Sequence, residues 1–330
     1  MKEVAPDWLS LLFCFVRELT MTIAVFGSIN MDIIAYSARL PKPGETIHGT
    51  GYKTGLGGKG ANQAAAVARL GAAVAMIGRV GMDGFGQAAF GELAGYGVNG
   101  QHILRDHDNP TGIAVISVGE GGENVITIVA GANMKIDLGD VARAEVPLSG
   151  AKVLLLQLEV PDAAGLAAAA MVRKAGGTVI LDPAPVPAGG IAPEFWHAAD
   201  VLTPNETETA ALTGVLPTMP DEGLIAARAL TERGVGTAIV KLGARGVVYK
   251  RGAEEGFVPA FEVIAIDTVA AGDCFNGGLA VALAEGRSLP DAIRFASACG
   301  GLATTKKGAA AAAPSRAEVE NLLRTGKANT

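Results

Sequence analysis

The sequence predicts an α/β fold with a largely parallel central sheet, and three observations carry that prediction. From Thr22 onward, short β-branched runs alternate with longer Ala/Leu-rich stretches, the pattern of strands joined by crossover helices. Polar residues gather where the apolar runs end, at Asn30, Asp32, Glu159, Asp182 and Asn205, which is where an open α/β sheet binds its ligands. One stretch, residues 111–130, breaks the rhythm with two strand patterns and no helix between them.

Taken in order, TIAVFGSIN opens the alternation as a strand, NQAAAVARLG follows as a helix and AVAMIGRVG returns as a strand. TGIAVISVGEGGENVITIVAGAN then reads as a β-hairpin about the turn Gly119 to Glu123, expected to project from the main domain. With the Ile33 to Tyr52 region it is expected to form a small sheet that covers the substrate. Ile113 and Val115 on one face and Ala114 and Ile116 on the other make both faces apolar, so a homodimer in which a partner covers the second face is expected. KVLLLQLEV is a strand, LAAAAMVRKAGG a helix, TVILDPAP and DVLTPNE strands, LIAARALTERG a helix, and TAIVKLGARG and GVVYK the closing strands. Residues 1–20 precede Met21 and are expected to be a non-core extension. That leaves residues 21–330 as one domain, with lid strands at about 33–53 and 111–130.

Composition narrows the function. With 330 residues, 49% of them hydrophobic, the chain can bury a large core. A net charge of −6 and no basic run longer than Lys306-Lys307 argue against nucleic acid or an anionic membrane as partner, so a small-molecule substrate is expected. The apolar run Trp8 to Val16 is too short to span a bilayer. Cys14, Cys274 and Cys299 lack metal-ligand spacing, and an odd count does not suggest a disulfide framework; a reducing cytoplasm fits.

The most informative stretch is IDTVAAGDCFNGGLAVALAEG, in which Ala270, Ala271 and Gly272 open into a helix. Unencumbered amides at a helix N-terminus make an anion hole. Asp273 in the first turn is either a capping carboxylate or a general base; an amide cradle beside a proton-accepting carboxylate is what phosphoryl transfer to an alcohol needs. Gly55, just before LGGKGANQ, satisfies GxGxxG with Gly57 and Gly60, but HGTGYKT before them is not the buried strand a dinucleotide turn must follow, and Gly60 after Lys59 rules out a Walker A loop. The glycines instead bring backbone, Lys59 and Asn62 to a polyhydroxylated ligand, or simply turn the chain ahead of a helix. In TPNETE, Asn205 and Glu208 are a helix cap or a phosphate and Mg²⁺ site; KLGARG, after the strand TAIV, is a tight turn or a nucleotide loop.

Together GSINMD, GGKGANQ, QLE, TPNETE, KLGARG and DTVAAGDCFNGG, in that order between about Thr22 and Pro314, resemble the ribokinase-like carbohydrate kinase family. The resemblance implies a Rossmann-like three-layer α/β/α domain with a small β-sheet lid. It implies ATP as phosphoryl donor, Mg²⁺ as its metal, and transfer to the 5-hydroxyl of D-ribose. Carried onto this sequence, Asn30, Asp32, Gly58, Lys59, Asn62 and Glu159 would hold the sugar, Asp273 would be the base and Gly272 would contribute to the anion hole. Asn205, Glu208, the loop Lys241, Leu242, Gly243, Ala244, Arg245 and Gly246, with Gly272 and Ser297, would contact ATP. Asp267, Val269, Ala303, Lys306 and Gly308 match the family's K⁺ ligands, although Ala312 stands where a Ser hydroxyl is usual. A sibling sugar or nucleoside kinase, a nicotinamide-dependent oxidoreductase and a non-catalytic sugar-binding protein remain alternatives at this point.

Overall fold

The computed structural model describes residues 23–328; the expected extension over residues 1–20 lies outside the described residues. In chain order the strands are β1 (Ile23–Phe26), β2 (Asn30–Ser37), β3 (Gly49–Gly57), β4 (Val74–Gly81), β5 (Asn99–Asp106), β6 (Gly112–Gly119), β7 (Asn124–Val129), β8 (Val153–Gln157), β9 (Thr178–Asp182), β10 (Val201–Leu202), β11 (Thr237–Lys241), β12 (Val247–Arg251) and β13 (Glu254–Val258). The α-helices are α1 (Lys59–Arg69), α2 (Gly84–Gly95), α3 (Leu138–Arg143), α4 (Glu145–Gly150), α5 (Asp162–Lys174), α6 (Phe195–Ala198), α7 (Glu206–Thr213), α8 (Pro220–Glu232), α9 (Ala271–Ala284), α10 (Leu289–Ala303) and α11 (Arg316–Thr325).

Nine strands form the main sheet in the order β13-β12-β11-β10-β9-β8-β1-β4-β5. It is parallel from β5 through β11, and only the β12 and β13 pairings are antiparallel. Alternation along β1 shows why helices cover both faces: Ile23 and Val25 enter one apolar cluster, Ala24 and Phe26 the other. The first cluster draws in α1, α2, α9, α10 and α11, and the second draws in α5 and α8, giving the three layers that the family resemblance implied.

A second, four-stranded sheet runs β3-β2-β6-β7. Within it β2 and β6 are parallel, whereas the β2–β3 and β6–β7 pairs are antiparallel. Only Gly27, Ser28 and Ile29 separate β1 from β2, so the small sheet springs from the carboxyl edge of the large one. Strand β3 does precede the glycine motif, but it is exposed along most of its length and belongs to the small sheet; the setting of a dinucleotide turn is therefore missing.

Small residues set how closely the site-bearing helices approach. A Cβ on Gly277 of α9 would lie 2.7 Å from the Cβ of Ala66 on α1. Next to the start of α9, Cys274 is buried, as is Cys299 on the neighbouring α10, and both are free thiols.

Candidate active site

Helix α9 begins without a side-chain cap. Its N-cap, Ala270, has a left-handed backbone (φ 58°) and supplies no side-chain hydrogen bond, which leaves the first-turn amides around Gly272 facing outward. The carboxylate of Asp273, only 5% exposed, does not serve as the cap. Instead Asn62 Nδ2 donates to Oδ2 at 3.0 Å and Gln63 Nε2 donates to Oδ1 at 3.1 Å. Burial pushes the Asp273 carboxyl up to about 6; Lys59 pulls it down, Asp182 pushes it up, and the two amide donors pull it down. A buried acid poised near neutrality beside open amides can take a proton from a hydroxyl while the amides face developing negative charge.

The residues expected to hold a sugar converge on this carboxylate. A Cβ on Gly57 would sit 2.0 Å from Asp32 Oδ1, and one on Gly58, which has φ 85°, would lie 2.8 Å from the Asn30 nitrogen. The paired glycines thus let the GGKGAN turn press against β2. Glu159 accepts from the Ser28 hydroxyl and, at 3.1 Å, from the backbone N–H of Lys59. Asn30 Oδ1 accepts from Asn133 Nδ2 at 2.7 Å. Burial raises the Asp32 carboxyl to about 6, helped by the charges of Glu159 and Asp273; these carboxylates share one space. Burial lowers the Lys59 ammonium, but Asp182, Asp273, Glu159 and Glu208 together lift it above its ordinary value, so it stays charged.

From Lys59, Asp182 and Asp273 a cavity of about 830 Å³ runs past Gly272 and Lys241 to Asn205, Glu208, Gly243, Ala244, Gly246 and Ser297. Asp182 accepts from Lys241 Nζ at 3.3 Å and pairs with Lys59 Nζ at 3.9 Å, a carboxylate between two ammonium groups. Asn205 also caps α7, in a reciprocal pair with Glu208, so the capping and cavity-lining readings of TPNETE describe the same side chains. Two expected loop residues turn their side chains away. Leu242 is packed in the second apolar cluster, and Arg245 pairs with Glu206 and donates to the Thr218 carbonyl. The buried atoms Ser297 Oγ and Asn62 Oδ1 have no hydrogen-bond partner among the described residues; one lies at each end of the site, where a polar ligand would satisfy it. Among the described residues no group of three or more His, Cys, Asp or Glu could hold a metal ion. A Mg²⁺ carried by phosphates needs only one or two carboxylates and keeps several waters, and Glu208 on the cavity wall fits that demand.

A profile described as pfkB family carbohydrate kinase matches residues 21–316, nearly the whole fold just described. The chain belongs to this family. Ribokinase of Haemophilus influenzae is 40% identical over 302 residues, spanning 92% of this chain and 98% of that protein. Deoxyribokinase of Salmonella typhimurium is 35% identical over 295 residues, spanning 89% of this chain and 96% of that protein. Among solved structures, Arabidopsis thaliana ribokinase complexed with ribose and ATP matches with a TM-score of 0.84 and 36% identity, over 92% of this chain and 99% of that one.

Within this pfkB chain, Asp267 gathers part of the expected cation region: its carboxylate accepts from the backbone N–H of Val269 at 3.0 Å and of Gly308 at 3.1 Å. Ala303 and Lys306 are joined by a backbone hydrogen bond of 3.2 Å, and the Lys306 ammonium turns to Glu318. Ala312 is buried in an apolar cluster with Ala66, Cys274, Ala303 and Ala313. Four residues near the site escaped the motif reading: Ser28, Gln63, Asn133 and Gln157. All are buried polar side chains; Ser28, Gln63 and Gln157 lie inside quoted motifs, but nothing in the sequence shows that they are buried. Gln63 alone had a cue, since it adjoins Asn62 in an otherwise alanine-rich helix.

Proposed function

We propose that this chain transfers the γ-phosphoryl group of ATP to the 5-hydroxyl of D-ribose, giving D-ribose 5-phosphate and ADP. One observation carries the reading: Asp273 lines the cavity with Lys59, accepts a hydrogen bond from Asn62 and repels the charge of Asp32, beside the uncapped amides of α9. The polar side chains of Asn30, Asp32, Lys59, Asn62 and Glu159 orient the sugar, and Asp273 accepts the hydroxyl proton as the oxygen attacks. The amides around Gly272 face the charge on the transferring group, and Lys241 Nζ, 3.5 Å from where a Gly272 Cβ would stand, adds a cation there. Mg²⁺ supplies charge neutralisation on the nucleotide phosphates, with Asn205 and Glu208 as its protein side.

Three finer readings accompany this one. The small sheet acts as a lid on the sugar, and its outer face pairs with a second copy. Asp267, Val269, Ala303, Lys306 and Gly308 hold K⁺ with low affinity, supported by the Asp267 contacts and weakened by Ala312. Free, buried thiols at Cys274 and Cys299 support a reducing compartment, the cytoplasm.

Similarity to a deoxyribokinase makes 2-deoxyribose the competing acceptor. An ADP-release assay across a sugar panel tests both, in KCl and in a large organic cation at equal ionic strength. We expect kcat/KM for 2-deoxyribose at least about tenfold below ribose, because a hydroxyl missing from a polar pocket leaves its partners unpaired at roughly 1 to 3 kcal/mol. Equal or inverted values move the acceptor to another sugar, and no response to KCl removes the cation reading.

A further inference from the structure

Both oxygens of the Asp273 carboxylate receive amide hydrogens, but the two donors differ in what else they do. Asn62 leaves its Oδ1 unpartnered at the sugar end. Gln63 is 0% exposed, does not line the cavity, and is fully engaged. Its Nε2 donates to Asp273 Oδ1 at 3.1 Å and to Asp182 Oδ2 at 3.2 Å, while its Oε1 accepts from Gln157 Nε2 at 2.7 Å. Facing two carboxylates on one side and an amide donor on the other, the Gln63 carboxamide has one satisfiable orientation. Gln157 sits at the end of β8 with its own Oε1 unpartnered among the described residues; a Cβ on Gly27 would stand 1.9 Å from that atom, so glycine there makes room for this side chain. The chain of contacts ties β8, α1, β9 and α9 together behind the reacting carboxylate.

We propose that Gln63, buttressed by Gln157, is a positioning residue that fixes which oxygen of Asp273 faces the acceptor hydroxyl and, as an N–H donor to the other, favours its charged form. The inference rests on reading Asp273 as the base. Its logic is electrostatic. Around Asp273 stand Lys59 from α1, Asp182 from β9, Asp32 from β2, Glu159 after β8, Lys241 from β11 beside Gly272, and the Cys274 thiol on its own helix. Burial is the main influence favouring a proton on Asp273; Lys59 opposes it, Asp182 adds to it, and the neutral N–H donors of Asn62 and Gln63 favour the charged form. A carboxylate held by two N–H groups on separate oxygens also cannot swing about its own side-chain torsion without losing one of them.

The test is Gln63→Met, similar in length and without a donor. We expect kcat at pH 7 to fall about tenfold or more with KM for ATP and ribose within about threefold. The acid limb of the kcat/KM profile should move up by about one pH unit, the scale of one hydrogen bond to a charged group, so the deficit narrows from pH 6 toward pH 9. Gln157→Met, which leaves both Gln63 donors in place but frees the amide to turn, should shift the limb in the same direction by less; it serves where Gln63→Met fails to fold. A merely structural Gln63 would lower the melting temperature and reduce activity by one factor at every pH. That outcome, or a profile that overlays the parent, overturns the proposal. A parent enzyme that phosphorylates no sugar instead overturns the assignment of Asp273, and the two failures are thereby told apart.

Discussion

Asp273 and Asp32 each hold a proton to about pH 6, against an ordinary value near 4. Between those values the folded chain binds protons that the unfolded chain has released. Stability therefore falls as pH rises through roughly 4 to 6, and the full cost, on the order of 3 kcal/mol for a shift of about two units, is in place above it. Asp273→Asn removes the buried charge. We expect it to melt a few degrees above the parent at pH 8, with the difference fading toward pH 4 as the parent protonates. Its kcat should fall by on the order of 10²-fold or more, since an amide accepts no proton. Calorimetry across pH and a turnover assay check the pair, and a variant that turns over normally removes the base. The side chains that meet at the candidate site were legible because they punctuate apolar runs: Asp273, Lys59 and Asn62 all stand in short Gly-rich motifs. Gln63 and Gln157 were not, because their meaning lies in contacts between β8, α1 and α9 that no local spacing encodes.

The distance between α1 and α9 is set by Gly277 against Ala66, and that distance brings Asn62 and Gln63 to Asp273. Gly277→Ala would put two methyl carbons about 2.7 Å apart, well inside contact, so the helices must separate. We expect a loss of roughly 1 to 3 kcal/mol in a denaturant titration, together with a lower kcat and little change in KM for ATP. A stability loss with kcat intact would show that this spacing does not govern the carboxylate. Elements in the middle of the sheet, such as β1, β8 and β11, announce themselves as continuous apolar runs because both faces are covered. Strands β5 and β13 form the two edges of the main sheet, and their sequences, NGQHILRD and EEGFV, carry too few buried apolar residues to stand out.

On the scale of the whole molecule, register decides which side of the small sheet looks inward. Asp32, Ala114 and Ile128 are aligned across β2, β6 and β7, so they share one side, that of Asp32; Ile33, Val115 and Thr127 share the other. Val125 and Val129, 56% and 47% exposed, belong to that outer side, as the apolar alternation of the hairpin implied. Val125→Lys with Val129→Lys should turn a dimer into a monomer in sedimentation velocity, and a parent that sediments as a monomer at micromolar concentration would dismiss the pairing. The sequence placed the hairpin and the Ile33 to Tyr52 region in one small sheet, as found, but not the parallel β2–β6 register, which joins segments that other elements separate. The buried thiols carry a last consequence. Burial raises both Cys274 and Cys299 above the ordinary thiol range, so a thiol reagent meets neither while α9 and α10 stay docked. With Cys14 replaced by Ser, the rate of colour release from such a reagent becomes a clock for the parting of these two helices, and sugar with nucleotide, by clamping the start of α9, should make that clock run slow.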